Sequence, residues 1–286
     1  MKYIIPKIVE GGNESDERSS CGHSFYNWLT SYLISDLSPD IEFIHSPLKK
    51  SSKRFENILN LGKNFKNIND IKPSKTVTIK TFDFGNDGNV NYELFNKRVD
   101  NLMFIIGKEP DNTLFIMGDA SQFPGLMVEK SEHISDILSE CYINPHKYGY
   151  DNNYTNVAIH IRRGDINKEK HQTRWEENDH YISIIKEINE KIKNVKFHIF
   201  SEGVIGDFQE FNDYNCNIIL NGSDLLTLDG FVKSDILVTG QSTFSTMVAY
   251  MNKGIIIYTP CVNYSRFEKF SKRFIKYNEI KEKLWI

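Results

Sequence analysis

The sequence predicts an α/β protein of two domains built on parallel sheets. Three observations lead there. The chain has 286 residues, a length that suits about two domains, each able to bury its own core. Its second half alternates short β-branched runs with helical stretches, and such βαβ units form parallel sheets with helices on both faces. The segment richest in chemistry, His160-Ile161-Arg162-Arg163-Gly164-Asp165, follows directly on the apolar run Val157-Ala158-Ile159, where a buried strand would stop.

Taken in order, Phe25, Trp28, Leu29, Tyr32 and Leu33 fall at helical spacing and predict an amphipathic helix over 24–36. Ile41 to His45 reads as a strand ended by Pro47. Helical stretches are expected near 53–61, 91–106 and 131–142, and strands at 76–82 and 113–117. The polar, Asn-rich stretch 144–156 marks a boundary between domains of 1–150 and 151–286. Beyond it the expected strands are Val157-Ile161, Lys196-Phe200, Asn217-Leu220, Ile236-Thr239 and Ile255-Tyr258. Helices at 178–193, 204–213, 223–233 and 243–252 separate them. A last long helix is expected over about 264–284, either closing the second domain or crossing back to the first.

Net charge is −3, so no overall basic field argues for nucleic acid. Aromatic residues make up 13% of the chain, which is compatible with sugar-stacking surfaces. The cysteines Cys21, Cys141, Cys216 and Cys261 lie far apart with no CxxC pair. A zinc site is therefore not expected, and scattered thiols suit a reducing compartment, with a disulfide pair still open. The apolar stretch Tyr3-Val9 is short and interrupted by Pro6 and Lys7, unlike a signal peptide, and no apolar run reaches membrane-spanning length. A soluble, cytoplasmic protein is expected. Neither GxxxxGK[ST] nor GxGxxG occurs, so neither a P-loop nor that dinucleotide fingerprint is indicated.

Three expected strands end in polar signatures: the arginine pair, Ser201-Glu202-Gly203, and Thr239-Gly240-Gln241-Ser242-Thr243, where a helix begins. In a parallel sheet these ends share one rim, and ligands of open α/β sheets bind outside the carboxyl ends of strands. Paired guanidiniums suit a diphosphate, because planar forks meet phosphate oxygens two at a time. A helix N-terminus adds unpaired N–H groups and partial positive charge, and Ser242 and Thr243 add hydroxyls. The plainer alternatives are two solvated arginines and a Ser242 that only caps its helix. Asp224 and Asp229 are candidates to accept from a guanine edge, against a capping or solvated role.

The HxRRGD segment resembles the signature of the GDP-fucose fucosyltransferase superfamily, with its α1,2-, α1,6- and protein O-fucosyltransferases. His198-Ile199-Phe200-Ser201-Glu202 is similar to the family's "FSDD"-like strand end. Asp224-Leu225-Leu226, followed by Ser234-Asp235-Ile236-Leu237-Val238-Thr239-Gly240-Gln241-Ser242-Thr243-Phe244-Ser245, resembles the α1,2 group's "D-M-Y-L-M … N-I-I-A-N-S-T-F-S-W-W". Order and spacing agree over about 157–260. Thr246-Met247 stand where the family has paired Trp, and Gly11-Gly12 and Gly22 are separated by the charged insert Asn13-Ser20.

The resemblance implies a GT-B fold, two Rossmann-type domains facing a cleft, with an acceptor-side N-terminal domain and a C-terminal domain for the nucleotide sugar. It implies inverting transfer of fucose from GDP-fucose to a glycan, with GDP as product and no metal or other cofactor. Arg162 would hold the β-phosphate, His160 and Asp165 would organise the loop and touch the nucleotide, and Ser242 and Thr243 would bind the diphosphate. Arg163, Ser201, Glu202, Asp224, Gln241 and Phe244 complete the implied nucleotide-binding set. Inversion needs a base for the acceptor hydroxyl. Glu169, at a spacing similar to the α1,6 group's glutamate, and His23, opening the first helix, are the candidates. A different nucleotide sugar and a non-catalytic homologue that binds glycan or nucleotide are the alternatives.

Overall fold

The computed structural model describes residues 1–6, 21–48, 53–79, 92–118, 130–143, 146–172, 174–259 and 272–284, apart from the side chains of 21–23, 26, 92–96 and 131. The chain divides into two compact units, Met1–Ile143 and Asn144–Ile286. No described helix is long and apolar enough to cross a membrane.

The first unit runs β1 (Lys2–Pro6), α1 (Cys21–Ser35), β2 (Ile41–Phe43), α2 (Lys53–Ile58), β3 (Lys75–Ile79), α3 (Tyr92–Lys108), β4 (Thr113–Met117) and α4 (Ser131–Cys141). Its strands form a parallel sheet in the order β2-β1-β4-β3. Helix α1 buries Phe25, Trp28, Leu29 and Leu33, the apolar stripe visible in its sequence. The Trp28 ring meets Phe43 of β2 edge to face at 5.0 Å. The Trp28 indole N–H donates to Nδ1 of His45 at 3.1 Å. His45 therefore carries its proton on Nε2 and donates it to Oε1 of Glu56 at 3.3 Å. Glu56 also accepts from the Leu48 backbone N–H at 2.7 Å and from Lys53. One buried histidine at the carboxyl end of β2 thus ties α1 to α2. Burial holds its pKa below the ordinary histidine value, with Glu56 opposing in part.

The second unit runs β5 (Thr155–His160), α5 (Asn178–Lys191), β6 (Val195–Ser201), a 3₁₀ segment (Ile205–Asp213), β7 (Cys216–Leu220), α6 (Asp224–Lys233), β8 (Ile236–Thr239), α7 (Thr243–Met251), β9 (Ile255–Tyr258), β10 (Phe274–Lys276) and α8 (Ile280–Lys283). All its strand pairs are parallel, in the order β10-β9-β8-β5-β6-β7. This is a doubly wound sheet whose winding reverses between β5 and β8, the place where such sheets open a crevice.

Alternation along the strands sorts the two faces. Val157, Ile159 and Ile161 join Phe197, Ile199, Ile236 and Val238 in one core with Tyr181, Ile184, Ile185 and Ile188 of α5. The opposite face carries His160, His198 and Phe200, against which α6 sets Phe231, 5.1 Å from Phe200 and 5.4 Å from His160. His198 lies between Nε2···Asn156 Oδ1 at 3.2 Å and Nδ1···Tyr148 Oη at 2.9 Å. Asn156 gives its NH₂ to the carbonyls of Asp151 and Tyr154. Its Oδ1 must therefore accept from Nε2 of His198, which leaves Nδ1 to accept from Tyr148. The network is complete only with His198 neutral. Burial, with Lys196 adding to it, pushes the His198 pKa down to about 4.

The C-terminal segment differs from expectation. Residues 264–271 lie outside the described set, but 274–284 are not one helix: β10 adds a sixth strand beside β9, and one helical turn follows. Ile275, Ile280 and Leu284 sink into the core of the second unit rather than crossing to the first. Their spacing satisfies a helix on paper, yet Phe274 and Ile275 are both buried, as a strand covered on two faces requires. The expected helix at 204–213 is a 3₁₀ segment kinked at Phe208. Strand β3 spans Lys75–Ile79, and residues 80–82 of the expected strand lie outside the described set.

Because His198 is neutral when folded and has its ordinary pKa near 6.5 when unfolded, its contribution to stability is full above pH 6.5 and is lost as pH falls toward about 4. Urea unfolding of the full chain across pH 4–7 is expected to show stability falling below about pH 6.5, with a shallower fall in His198→Gln. Equal slopes in the two proteins would rule out His198 as the titrating group.

Candidate functional site

Strand β5 has neighbours β8 and β6 on its two sides, so the three polar strand ends lie side by side. The turn after β5 is held from the β6 side: the Ser201 hydroxyl donates to the Ile161 carbonyl at 2.8 Å. Gly164 sits at φ +79°, and a Cβ there would come within 1.9 Å of the Glu202 carboxylate. Glycine takes that backbone with the least strain and leaves the Glu202 carboxylate its place. Asn221 braces the β6 end, accepting from the Gly203 N–H at 3.1 Å and donating to its carbonyl at 2.9 Å.

Arg162 leaves this turn with its side chain 18% exposed. Its Nε and Nη2 donate to the two Asp165 carboxylate oxygens at 3.3 and 2.8 Å. Its Nη1 donates to the Gln241 carbonyl at 3.0 Å, across the winding reversal. A guanidinium has five N–H donors. One on each nitrogen is committed, which leaves one N–H on each terminal nitrogen without a protein partner among the described residues. Burial alone would raise the Asp165 carboxyl, but the Arg162 fork more than offsets it and holds Asp165 below the ordinary carboxylate range.

Arg163 is arranged otherwise. Its Nη1 donates to the Arg162 carbonyl at 3.0 Å, and its Nη2 to the Glu176 carbonyl and to Asn178 Oδ1 at 2.9 and 3.1 Å. Its guanidinium lies 3.7 Å over the Trp175 ring. Of the arginine pair expected from the sequence to meet an anion, Arg162 keeps N–H groups without a protein partner among the described residues, while Arg163 clamps the loop entering α5.

On the β8 side, Gly240 passes so close to β5 that a Cβ would lie 2.6 Å from the His160 carbonyl oxygen. Ser242 caps α7, its hydroxyl accepting from the Phe244 N–H at 3.3 Å. Its carbonyl accepts from the hydroxyls of Ser245 and Thr246. Ser242 is 7% exposed and performs the capping role. The backbone N–H and hydroxyl of Thr243 have no partner among the described residues. His160 ends β5 with its ring between Phe231 and Phe244, at 5.4 and 6.4 Å. Burial, then the Arg162 charge, push its pKa down to about 3 against a smaller pull from Asp165. Its Nδ1 is buried without a hydrogen-bond partner among the described residues.

The remaining candidates disperse. Asp224 lies in the first turn of α6, after the cap Ser223. Asp229 is corrected from a guanine-edge candidate: its side chain is 1% exposed and accepts from the Tyr148 N–H and from Lys233, both at 2.7 Å. Glu169 is exposed in the turn at 168–170, with no partner among the described residues. His23 falls in the first turn of α1, in the other unit, and its side chain lies outside the described set, as do Gly11-Gly12 and the insert Asn13–Ser20. Sequence reasoning missed Trp175, Glu176 and Asn178. The one signal was a lone Trp in the polar run between Asp165 and α5.

No protein-family model matches the chain, and no curated sequence matches it. Among solved structures, it is similar to the E. coli heptosyltransferase WaaC with ADP-2-deoxy-2-fluoro heptose, at TM-score 0.44 and 9% identity over 99% of this chain and 96% of that one. It is similar to POFUT1 in complex with GDP-fucose at TM-score 0.43 and 10% identity, covering 88% and 95%. Against the spinosyn rhamnosyltransferase SpnG with spinosyn aglycone the TM-score is 0.35 at 8% identity, covering 99% and 90%. All three scores lie below 0.5, and the chemistry of the site rests on the chain's own residues.

Gly240→Ala drives a methyl into backbone. It is expected to destabilise the chain by about 1–3 kcal/mol in urea unfolding. A loss under about 0.5 kcal/mol would show that β5 and the β8–α7 turn have room to separate.

Proposed function

We propose that this chain is a glycosyltransferase that takes a nucleoside-diphosphate sugar at the carboxyl edge of its second sheet. The observation that carries the reading is the pair of N–H donors left on the terminal nitrogens of Arg162, at the winding reversal. A phosphate accepts such a pair bidentately. The N–H and hydroxyl of Thr243 at the start of α7, without a partner among the described residues, add donors and helix-dipole charge. The ring of His160, kept neutral by burial, adds no second cation beside Arg162.

In the reaction we assign, an acceptor hydroxyl attacks the anomeric carbon from the face opposite the diphosphate. The bond between that carbon and the phosphate oxygen breaks, and its electron pair leaves with the diphosphate. Arg162 and the α7 N-terminus stabilise the charge that develops there, so transfer is expected without added metal. The hydroxyl proton goes to a base. Glu169, whose carboxylate has no partner among the described residues, is the first candidate, and His23 of the other unit is the second. The resemblance of the strand-end motifs favours GDP-fucose as donor and a glycan as acceptor. It would assign the donor to residues 151–286 and the acceptor to 1–150, in a GT-B-like arrangement.

Calorimetric titration of the full chain with GDP, UDP and ADP, without metal, is expected to show GDP-selective binding that Arg162→Ala abolishes. Binding retained in Arg162→Ala would remove the fork assignment. Preference for UDP or ADP would move the donor to another sugar, and no binding of any would favour a non-catalytic homologue. Where transfer is measured, Glu169→Gln is expected to lower turnover with nucleotide affinity unchanged. Turnover equal to wild type would eliminate Glu169 as base.

A further inference from the structure

We infer that Glu176 is a positioning residue that sets the anion-binding fork of Arg162 by clamping Gln241. This rests on Arg162 being the group that takes the anion. Glu176 lies on the loop entering α5, outside every motif singled out in the sequence. Its Oε1 accepts from the Gln241 side-chain NH₂ at 2.6 Å. Its backbone carbonyl accepts from Arg163 at 2.9 Å. Arg163 in turn donates to the Arg162 carbonyl at 3.0 Å, and Arg162 donates to the Gln241 carbonyl at 3.0 Å. The bonds close a ring, from Arg162 to Gln241 to Glu176 to Arg163 and back.

Gln241 needs holding from outside. It follows Gly240, which has no side chain to pack, and precedes the cap Ser242. Its backbone carbonyl shares the hold on the Arg162 guanidinium with Asp165, taking Nη1 while Asp165 takes the Nε–Nη2 edge. The Glu176 bond is charge-assisted and short, the kind that holds geometry most firmly. Trp175, stacked 3.7 Å from the Arg163 guanidinium, anchors the far side of the ring. A carboxylate near a phosphate site repels the ligand as well. Glutamine at 176 separates the two effects, since it keeps an acceptor oxygen and loses the charge.

The test uses the full chain in four variants, Glu176→Ala, Glu176→Gln, Gln241→Ala and the double Glu176→Ala with Gln241→Ala, with GDP and inorganic pyrophosphate as probes. Glu176→Ala is expected to weaken GDP and pyrophosphate about tenfold, with Glu176→Gln close to wild type. Gln241→Ala combined with Glu176→Ala is expected to be no worse than either alone, because both remove one bond. Hydrogen exchange at the Ser242 and Phe244 amides is expected to quicken in Glu176→Ala and not in Glu176→Gln. Tighter binding in both Glu176 variants would mean that charge repulsion is all Glu176 supplies, and would overturn the inference, as would unchanged exchange in Glu176→Ala. If wild type binds neither probe, the proposed function falls, and the exchange experiment alone decides the clamp: quickened amides support it, unchanged amides remove it.

Discussion

Between β5 and β8 the winding of the second sheet reverses, and the Arg162 guanidinium spans that point to the Gln241 carbonyl at 3.0 Å. This bond is possible only because the two strand ends come unusually close. Closeness demands glycine at 240, since a Cβ would strike the His160 carbonyl. It also demands that the helix starting there be capped without bulk, which Ser242 does by accepting from the Phe244 N–H. From the other side, the turn at Gly164 sends Arg162 back over the strand end, and Asp165 holds the edge of the guanidinium that Gln241 does not. Each feature makes sense only given the others, which is how a short motif becomes a geometry.

Much of this was legible in the sequence, for a reason that can be stated. Strands buried on both faces read as continuous β-branched runs, so Ile236–Thr239 and Ile255–Tyr258 fall where their composition places them. The polar endings of β5, β6 and β8 followed as soon as the sheet was taken as parallel. What pattern reading lost was long-range pairing. Nothing local tells Arg163 from Arg162; the difference lies in Trp175, Glu176 and Asn178, twelve or more residues on. Asp229 has the composition of a surface carboxylate, yet it is buried because Tyr148, far away in sequence, supplies an N–H. The C-terminal segment misled because apolar spacing alone does not separate a strand followed by one helical turn from a longer helix.

The buried histidines share a logic. His45 and His198 each accept with Nδ1 and donate with Nε2, joining elements through neutral hydrogen bonds. A lysine or arginine at 198 would bring a charge whose desolvation no neighbouring carboxylate offsets among its described partners. His160 departs from the pattern, since its Nδ1 has no such partner. Its ring packs between Phe231 and Phe244 with Nδ1 buried beside Gly240, so it joins its elements by packing rather than by a hydrogen bond at that nitrogen.

The division of labour between the adjacent arginines bears on how this chain can drift. Arg163 faces a ring, two carbonyls and an amide oxygen of its own protein, so its loss would be felt first as reduced abundance of folded protein. Arg162 keeps N–H donors without a protein partner among the described residues, so on the proposed function its loss would be felt first in chemistry. On the proposed function, a descendant that abandoned transfer would be released from one constraint and not the other. The motif would then erode asymmetrically, with its second arginine outlasting its first.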